Sequence, residues 1–378
     1  MGRTIDFNVL RFYFFIMNNN TPSHSAPLQK GDGMGERLHL FLIFLAALFL
    51  VGCGRPEPRK QPSATPFTNE VCLRHTPVKQ QGQSNLCWAY AMLATIETEH
   101  IMMGDSINLS PHFAARCLLA EESRRCFLDT TKTTTASVRC MAPTLLRLLR
   151  DYGALPYDSY NAPDMNGSTL ARRVTLAATQ SHSLREAERR TQRLLDEHIG
   201  FLPKRVYMFG AEYTFKEFAH SVCMKDEYVA LTSFSHHPFG EAFALELPDN
   251  RGEERFYNVP IDRLMDIISG SLRAGHPVCW EGDISEDGFS FSKGTATIES
   301  PSPCTQELRQ REFEAHRTTD DHCMALIGIA HDSQGQLFFI AKNSWGTDNP
   351  YGGLMYLSSD YVRMKTVAVV VKSEMLWK

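Results

Sequence analysis

Three side chains set far apart in this sequence have the types needed for thiol chemistry: Cys87, His322 and Asn343. Cys87 stands in Gln81-Gly-Gln-Ser-Asn-Leu-Cys-Trp-Ala-Tyr90, beside Trp88, at what reads as the first turn of a helix running to Met103. Apolar residues at Leu86, Tyr90, Leu93, Ala94 and Ile101 carry the helical spacing, and Ser84 or Asn85 is placed to cap it. A thiol at that point faces unpaired backbone N–H groups and the positive end of the helix dipole. Both favour the thiolate, the nucleophilic form.

A thiolate that attacks carbonyls needs a base held in one orientation. The stretch His322-Cys-Met-Ala-Leu-Ile-Gly-Ile-Ala-His-Asp-Ser-Gln-Gly-Gln-Leu-Phe-Phe-Ile-Ala-Lys-Asn-Ser-Trp-Gly346 reads as two strands turning at Asp332-Ser-Gln-Gly335. A hairpin turning there brings His322 and Asn343 face to face at its open end, where an amide oxygen can orient the imidazole toward a thiolate. The other histidines lack such a partner: His331 sits at the turn, and His236 and His237 precede Pro238 in a loop. Asp320 and Asp321 are read as solvated loop carboxylates that could modulate the site.

The elements that must position these groups follow the mature part of the chain. Asn108-Leu-Ser-Pro111 opens a second helix, Thr130 to Ser137 is a mobile loop, and Thr144 to Tyr152 is a short helix ended by Gly153. Thr169 to Ile199 is one long, charge-rich helical segment with a solvated charged face. From Tyr228 the character turns to strands, interrupted by a helix from Ile261 to Leu272 that leads through Gly275 into Pro277-Val-Cys-Trp280.

The chain has 378 residues, 43% apolar and 22% charged, with a formal charge of -4. That balance is ordinary for a soluble globular protein and points to no nucleic-acid partner. Upstream, Leu40 to Gly52 is an unbroken apolar run, too short to span a bilayer but the size of a signal-peptide core. It ends in Leu50-Val-Gly-Cys53, which resembles the bacterial lipobox, with Cys53 as the lipidated residue, and a proline-rich tether follows. The organisation expected is an upstream extension at 1–33 with Met34 as the start, a signal peptide at 34–53 and a tether at 54–70. A helical part with Cys87 then spans 71–227, and a β-rich part with His322 and Asn343 spans 228–378. Ten cysteines suit an envelope compartment where thiols can oxidise, although the sequence selects no pairing. No Cys-x-x-Cys pair occurs, so no structural zinc site is expected.

Gln81, Cys87-Trp88, a distant histidine opening a strand, and Asn343-Ser-Trp-Gly346 together resemble the papain superfamily of cysteine peptidases in motif and chain order. The separation of Cys87 from His322 is too long for a plain papain domain. Tyr213-Thr-Phe-Lys-Glu-Phe218, Phe256-Tyr-Asn-Val-Pro-Ile-Asp262, Leu272 to Ile284 and Gly353 to Val362 are similar to the bleomycin hydrolase and bacterial aminopeptidase C branch.

The resemblance implies an α+β, papain-like fold: a helical left domain carrying the nucleophile helix, an antiparallel β-barrel-like right domain, and a helical insertion. It implies Cys87 as nucleophile, His322 as base and then acid, Asn343 as orienter, Gln81 with the Cys87 N–H as oxyanion donors, and Trp345 as a shield over the Asn343 contact, with Trp88 in support. No metal or organic cofactor is implied. The substrate would be a peptide or protein, cleaved in aminopeptidase fashion, and the branch forms a ring-shaped hexamer. The branch is usually cytoplasmic and carries a C-terminal arm in its cleft, whereas this chain reads as a lipid-anchored envelope protein stopping at Glu374-Met-Leu-Trp-Lys378. The alternatives are therefore an endopeptidase, an acyl-transferring amidase, or a non-catalytic papain-like lipoprotein.

Overall fold

A computed structural model describes residues 67–298 and 304–377. The expected upstream extension, signal peptide, Cys53 and most of the tether lie outside the described residues. Thr68, Asn69 and Glu70, placed at the end of the tether, instead belong to a strand, β1 (Thr68–Cys72).

The helices come first: α1 (Cys87–Met103), α2 (Pro111–Leu128), α3 (Pro143–Tyr152), α4 (Gly167–Thr179) and α5 (Leu184–His198). Ser110 caps α2 by accepting from the Phe113 N–H, with Pro111 at the first helical position, as the sequence signals. The expected single segment from Thr169 to Ile199 is two helices. Ser183 accepts from the Glu186 N–H and starts α5 afresh, so a local cap overrides the continuous periodicity. A small hairpin, β2 (Val206–Met208) with β3 (Ala211–Tyr213), and α6 (Phe215–Val222) complete this half. The loop at 130–137 is tied down, with Asp129 accepting from the Thr131, Thr133 and Thr134 N–H groups and Thr175 Oγ1 accepting from Ala136.

The second half supplies most of an eleven-stranded sheet. Its strands are β4 (Tyr228–Thr232), β5 (Ala242–Ala244), β6 (Arg255–Asn258), β7 (Val278–Gly282), β8 (Phe289–Ser290), β9 (Thr295–Ala296), β10 (His322–His331), β11 (Leu337–Lys342), β12 (Leu354–Ser358) and β13 (Thr366–Lys372). Helices α7 (Ile261–Arg273), α8 (Gln306–Glu314) and α9 (Ser359–Lys365) interrupt them. The order is β5-β6-β4-β13-β7-β10-β11-β12-β9-β8, with β1 added on β10. Pairing is antiparallel except for β4 with β6 and β9 with β12. The last described residues turn onto α7, where Arg263 Nη2 donates to the Leu376 carbonyl at 2.9 Å.

Helix α1 forms where the apolar spacing indicates, and it lies in the interior. Every residue from Trp88 to Glu99 is buried, because α1 lies between the helical half and β10 and β7. Its polar residues are consequently paired inside. Glu97, fully buried, accepts from Lys79 Nζ at 2.6 Å, Thr76 Oγ1 at 2.6 Å and the Leu109 N–H at 2.8 Å, while Lys342 Nζ donates to Thr76 Oγ1 at 2.6 Å. This network ties the nucleophile helix to β11, the strand that ends one residue before Asn343. Glu97→Ala strands the half-buried Lys79 and the buried Lys342 ammonium groups, and is expected to cost about 3–5 kcal/mol, measured as a fall in the denaturant midpoint.

Candidate active site

The loop from Gln81 to Leu86 fixes where α1 begins. The N-terminus of α4 clamps it: the Gly167 N–H donates to the Gln83 carbonyl at 3.0 Å, Asn166 Nδ2 to Gln83 Oε1 at 2.6 Å, and Asn85 Nδ2 to Ser168 Oγ at 2.8 Å. A Cβ on Gly167 would lie 2.0 Å from the Ser84 carbonyl oxygen, so only glycine permits this approach. Neither Ser84 nor Asn85 caps α1. Asn85 takes a left-handed conformation (φ 57°) and sends its amide to Ser168, and Leu86 occupies the cap position without a side-chain bond. The first-turn N–H groups therefore stay uncapped next to Cys87, which sharpens the electrostatic argument for a thiolate there.

His322 opens β10 and is buried, and its Nε2 donates to Asn343 Oδ1 at 2.8 Å. The same oxygen accepts from the Ser344 N–H at 2.7 Å, which fixes the Asn343 amide with its oxygen toward the imidazole. The two residues are not directly opposite. Ala325 faces Lys342, at the upper end of the expected register, which leaves Asn343 two positions from the place directly opposite His322; a bulge lies between Leu326 and Gly328. An even offset keeps both side chains on one face, and they meet diagonally. With Nε2 committed, Nδ1 is the ring nitrogen left for Cys87, which the imidazole adjoins. Trp345 lies against the imidazole with ring centroids 4.7 Å apart and is itself edged by Phe289 and Phe291, covering the His322–Asn343 contact.

Gln81 is tied to the same segment: its N–H donates to the Ser344 carbonyl at 2.8 Å, and its Oε1 accepts from Ser344 Oγ at 2.7 Å. The amide oxygen is thereby occupied, and Nε2 is the end left to donate. Trp88 is fully buried, with Nε1 donating to the Val138 carbonyl at 2.8 Å, so it anchors the helix start and does not face the cleft. Gln81, Cys87, His322, Asn343 and Trp345 thus converge, and Trp88 supports them from behind.

Electrostatically Cys87 stands apart from the other described thiols. A hydrogen bond from Cys323, and then hydrogen bonding and charge from His322, hold its thiol well below the ordinary range against the opposing effect of burial. Burial pushes the others the opposite way, Cys117 and Cys223 to about 12. None of the nine described cysteines is in a disulfide.

Two groups beside the nucleophile are not legible from motif spacing. Cys323 and Glu281 are cross-strand partners on β10 and β7, with Sγ and Oε1 3.3 Å apart, and Glu281 Oε2 accepts from the Ala142 N–H at 3.3 Å. Asp320 and Asp321 are half-buried rather than solvated, and burial raises both carboxyls; the negative charge of Cys87 adds to the rise at Asp320. Arg139 bridges this edge, donating to Asp249 Oδ2 at 2.8 Å and to the Asp320 carbonyl at 3.1 Å.

His236, His237 and Glu246 also cluster, with potential ligand atoms within 4.8 Å of one another. Gln310 argues against a metal centre. Its Oε1 accepts from the Ser235 N–H at 2.7 Å, so its Nε2 donates to His236 Nδ1 at 3.0 Å. His236 must then carry its hydrogen on Nε2, where it donates to Glu246, and has no lone pair there for a metal. A cavity of about 500 Å³ between α3 and α6 is lined by Cys223, Arg147 and Tyr228 among others, but by none of the groups around Cys87.

One family model and several known proteins are similar to this chain. The Peptidase C1-like family matches residues 206–378, which include His322 and Asn343 and begin beyond Cys87. Aminopeptidase C of Lactococcus lactis subsp. lactis (strain IL1403) is 22% identical over 366 residues, covering 81% of this chain and 83% of that protein. Aminopeptidase G of Lactobacillus delbrueckii subsp. lactis is 23% identical over 164 residues, and aminopeptidase C of Streptococcus thermophilus 22% over 148. The chain spans only 37% and 33% of the length of those two. The crystal structure of PepW from Lactobacillus rhamnosis HN001 superposes with a TM-score of 0.64 at 18% identity, covering 93% of this chain and 94% of that one. The α+β, papain-like architecture is shared.

Proposed function

We infer that this chain, a papain-superfamily member of the aminopeptidase C branch, hydrolyses peptide bonds through an acyl-enzyme on Cys87. The observation that carries this reading is the His322 imidazole held between Asn343 Oδ1, at 2.8 Å, and a Cys87 thiol whose pKa is drawn down. In the reaction Cys87 Sγ attacks the scissile carbonyl carbon. The oxygen, now negative, receives hydrogen bonds from the Cys87 N–H and Gln81 Nε2. His322 gives its Nδ1 proton to the departing amine, then takes one from the water that attacks the thioester and frees Cys87. Gln81→Ala removes one oxyanion donor and is expected to cost roughly 2.7–4 kcal/mol of transition-state stabilisation, read as a fall in kcat with little change in KM.

The names of the relatives support an aminopeptidase preference. Matched fluorogenic peptides with free and blocked amino ends test it: preferred cleavage of the free form is expected, and equal cleavage of both makes the enzyme an endopeptidase. We further propose that the protein is held at a bacterial envelope membrane by lipid on Cys53, supported by the apolar run from Leu40 to Gly52 and the lipobox-like Leu50-Val-Gly-Cys53. A fatty-acid probe fed to expressing cells should label the wild type and not Cys53→Ser; equal labelling of both overturns the anchor.

A further inference from the structure

A groove opens beside Cys87 in the helical half, and nothing in the hydrolytic cycle uses it. One wall is a single face of α4, where Ser168, Ala171, Arg172, Thr175 and Leu176 recur at helical spacing. The other is the segment 135–139, and the two enclose a cavity of about 270 Å³ that Asn85 also lines. Both walls are fastened to the residues that flank the nucleophile: Asn85 Nδ2 donates to Ser168 Oγ at 2.8 Å, and Trp88 Nε1 to the Val138 carbonyl at 2.8 Å. The Ala136 N–H joins the walls by donating to Thr175 Oγ1 at 2.9 Å. Arg139 Nη2 donates to the Asp320 carbonyl at 3.1 Å, two residues before His322, so the groove meets the cleft between nucleophile and base.

The chemistry of this groove is one-sided. Two arginines line it and no carboxylate does. Arg139 is neutralised by Asp249 Oδ2, which accepts from its Nε at 2.8 Å. Arg172 is exposed and has no carboxylate partner among the described residues, so its guanidinium is left to take an anion. Ala171, Val138 and the half-exposed Leu176 line the same cavity with carbon. A short aliphatic stem ending in a carboxylate fits both features, its methylenes on these carbons and its oxygens on the Arg172 fork. The sequence reads Arg172 as part of a solvated charged face; the fold sets that arginine in a cavity next to the nucleophile.

In the acyl-enzyme the substrate carbonyl carbon is bonded to Cys87 Sγ, while the departing amine faces His322, which comes from the sheet. A groove built from the helical half and tied to Asn85 and Trp88 therefore serves the acyl side. We propose that it holds the side chain of the substrate residue whose carbonyl Cys87 attacks, that it selects an acidic side chain there, and that Arg172 is the residue that sets this choice. The proposal rests on the peptidase reading of the preceding section. In an aminopeptidase the selected residue is the first of the chain, so the substrates are peptides that begin with glutamate or aspartate.

The test compares kcat/KM on matched fluorogenic peptides, each with free and blocked amino ends, that carry Glu, Gln, Leu or Lys just before the scissile bond. The wild type should cleave the Glu peptide about tenfold more efficiently than the isosteric Gln peptide, the scale of a charge-assisted pair partly withdrawn from water, and the gap should narrow as salt is raised. Arg172→Ala should erase the gap, and Arg172→Glu should turn the preference toward Lys, a gain that an unfolded variant could not show. Equal cleavage of the Glu and Gln peptides by the wild type overturns this proposal and leaves the peptidase reading standing, as does a Glu preference that survives both substitutions. Binding of labelled forms of the same peptides to Cys87→Ala, followed by fluorescence anisotropy, reads the groove without catalysis. Tighter binding of the Glu peptide there, with no hydrolysis of any peptide by the wild type, would sink the peptidase reading alone.

Discussion

Cys87→Ala is expected to reduce hydrolysis of peptide substrates on the order of a million-fold, the scale seen when an acyl-transfer nucleophile is removed. The loss should appear in kcat, because the residues that bind substrate are untouched. The fold should survive: Cys87 is the first residue of α1 and only half-buried, and the helix is held by its buried faces and the Glu97 network rather than by the thiol. Circular dichroism and the unfolding midpoint provide that control. Retained activity in a pure preparation would mean that another group carries the chemistry, and no other described thiol is held in a low range.

The second large effect is expected at His322. His322→Ala removes the group that moves the proton to the leaving amine and from the attacking water, costing roughly a hundred- to ten-thousandfold in kcat/KM. It should also change the nucleophile. Hydrogen bonding and charge from His322 help to hold the Cys87 thiol low, so the variant should need more alkaline solution to react. Asn343→Ala should be milder, because the ring remains but loses the Oδ1 contact at 2.8 Å that sets its orientation. If His322→Ala and the wild type have the same pH profile for thiol reactivity, the imidazole is not the partner of Cys87.

Much of this site is written in short stretches of sequence. The helix-start cysteine, the strand-opening histidine and the asparagine at the far end of the hairpin all stand where their spacing places them. What local pattern could not supply is tertiary. Asn85 looks like a cap but turns left-handed to reach Ser168, a contact with α4 that no window around Cys87 contains. The periodicity of α1 suggests one buried face, whereas the β10 side and the helical half bury all of them, and Glu97 is satisfied only because Lys79, Thr76 and Leu109 converge on it. The hairpin pairs at the upper end of the expected register, two positions from setting His322 directly opposite Asn343, with a bulge that the turn residues do not signal. Its consequence is small because the displacement is even. Glu281 and Cys323 become neighbours only through the pairing of β7 with β10. A cysteine directly after the histidine was the one available signal, and it is ambiguous without the strand opposite.

The strand pairings also explain why the site is rigid. β10 lies between β7 and β11, so His322 and Cys323 are flanked on one side by Glu281 and Gly282 and on the other by the segment that ends in Asn343. Lys342, one residue before Asn343, is pinned by Thr76 at 2.6 Å, and burial lowers its ammonium to about 8. The orienter and the nucleophile helix are thus fastened to the same buried polar network, which fixes their mutual distance before any substrate arrives.

The rate at which iodoacetamide alkylates Cys87, followed as a function of pH, reports whether its surroundings make it a nucleophilic thiolate. Each cysteine of the intact chain is mapped by mass after brief exposure, with Cys72, exposed and with its thiol raised by burial, as the internal reference. Because the Cys87 pKa is lowered, its thiolate persists on the acid side of the ordinary thiol value of about 8.5 and is lost only on further acidification. Near neutral pH Cys87 should be alkylated far faster than Cys72 and every other described thiol. A Cys87 that reacts no faster than Cys72, or whose rate climbs only through the ordinary thiol range, would contradict it.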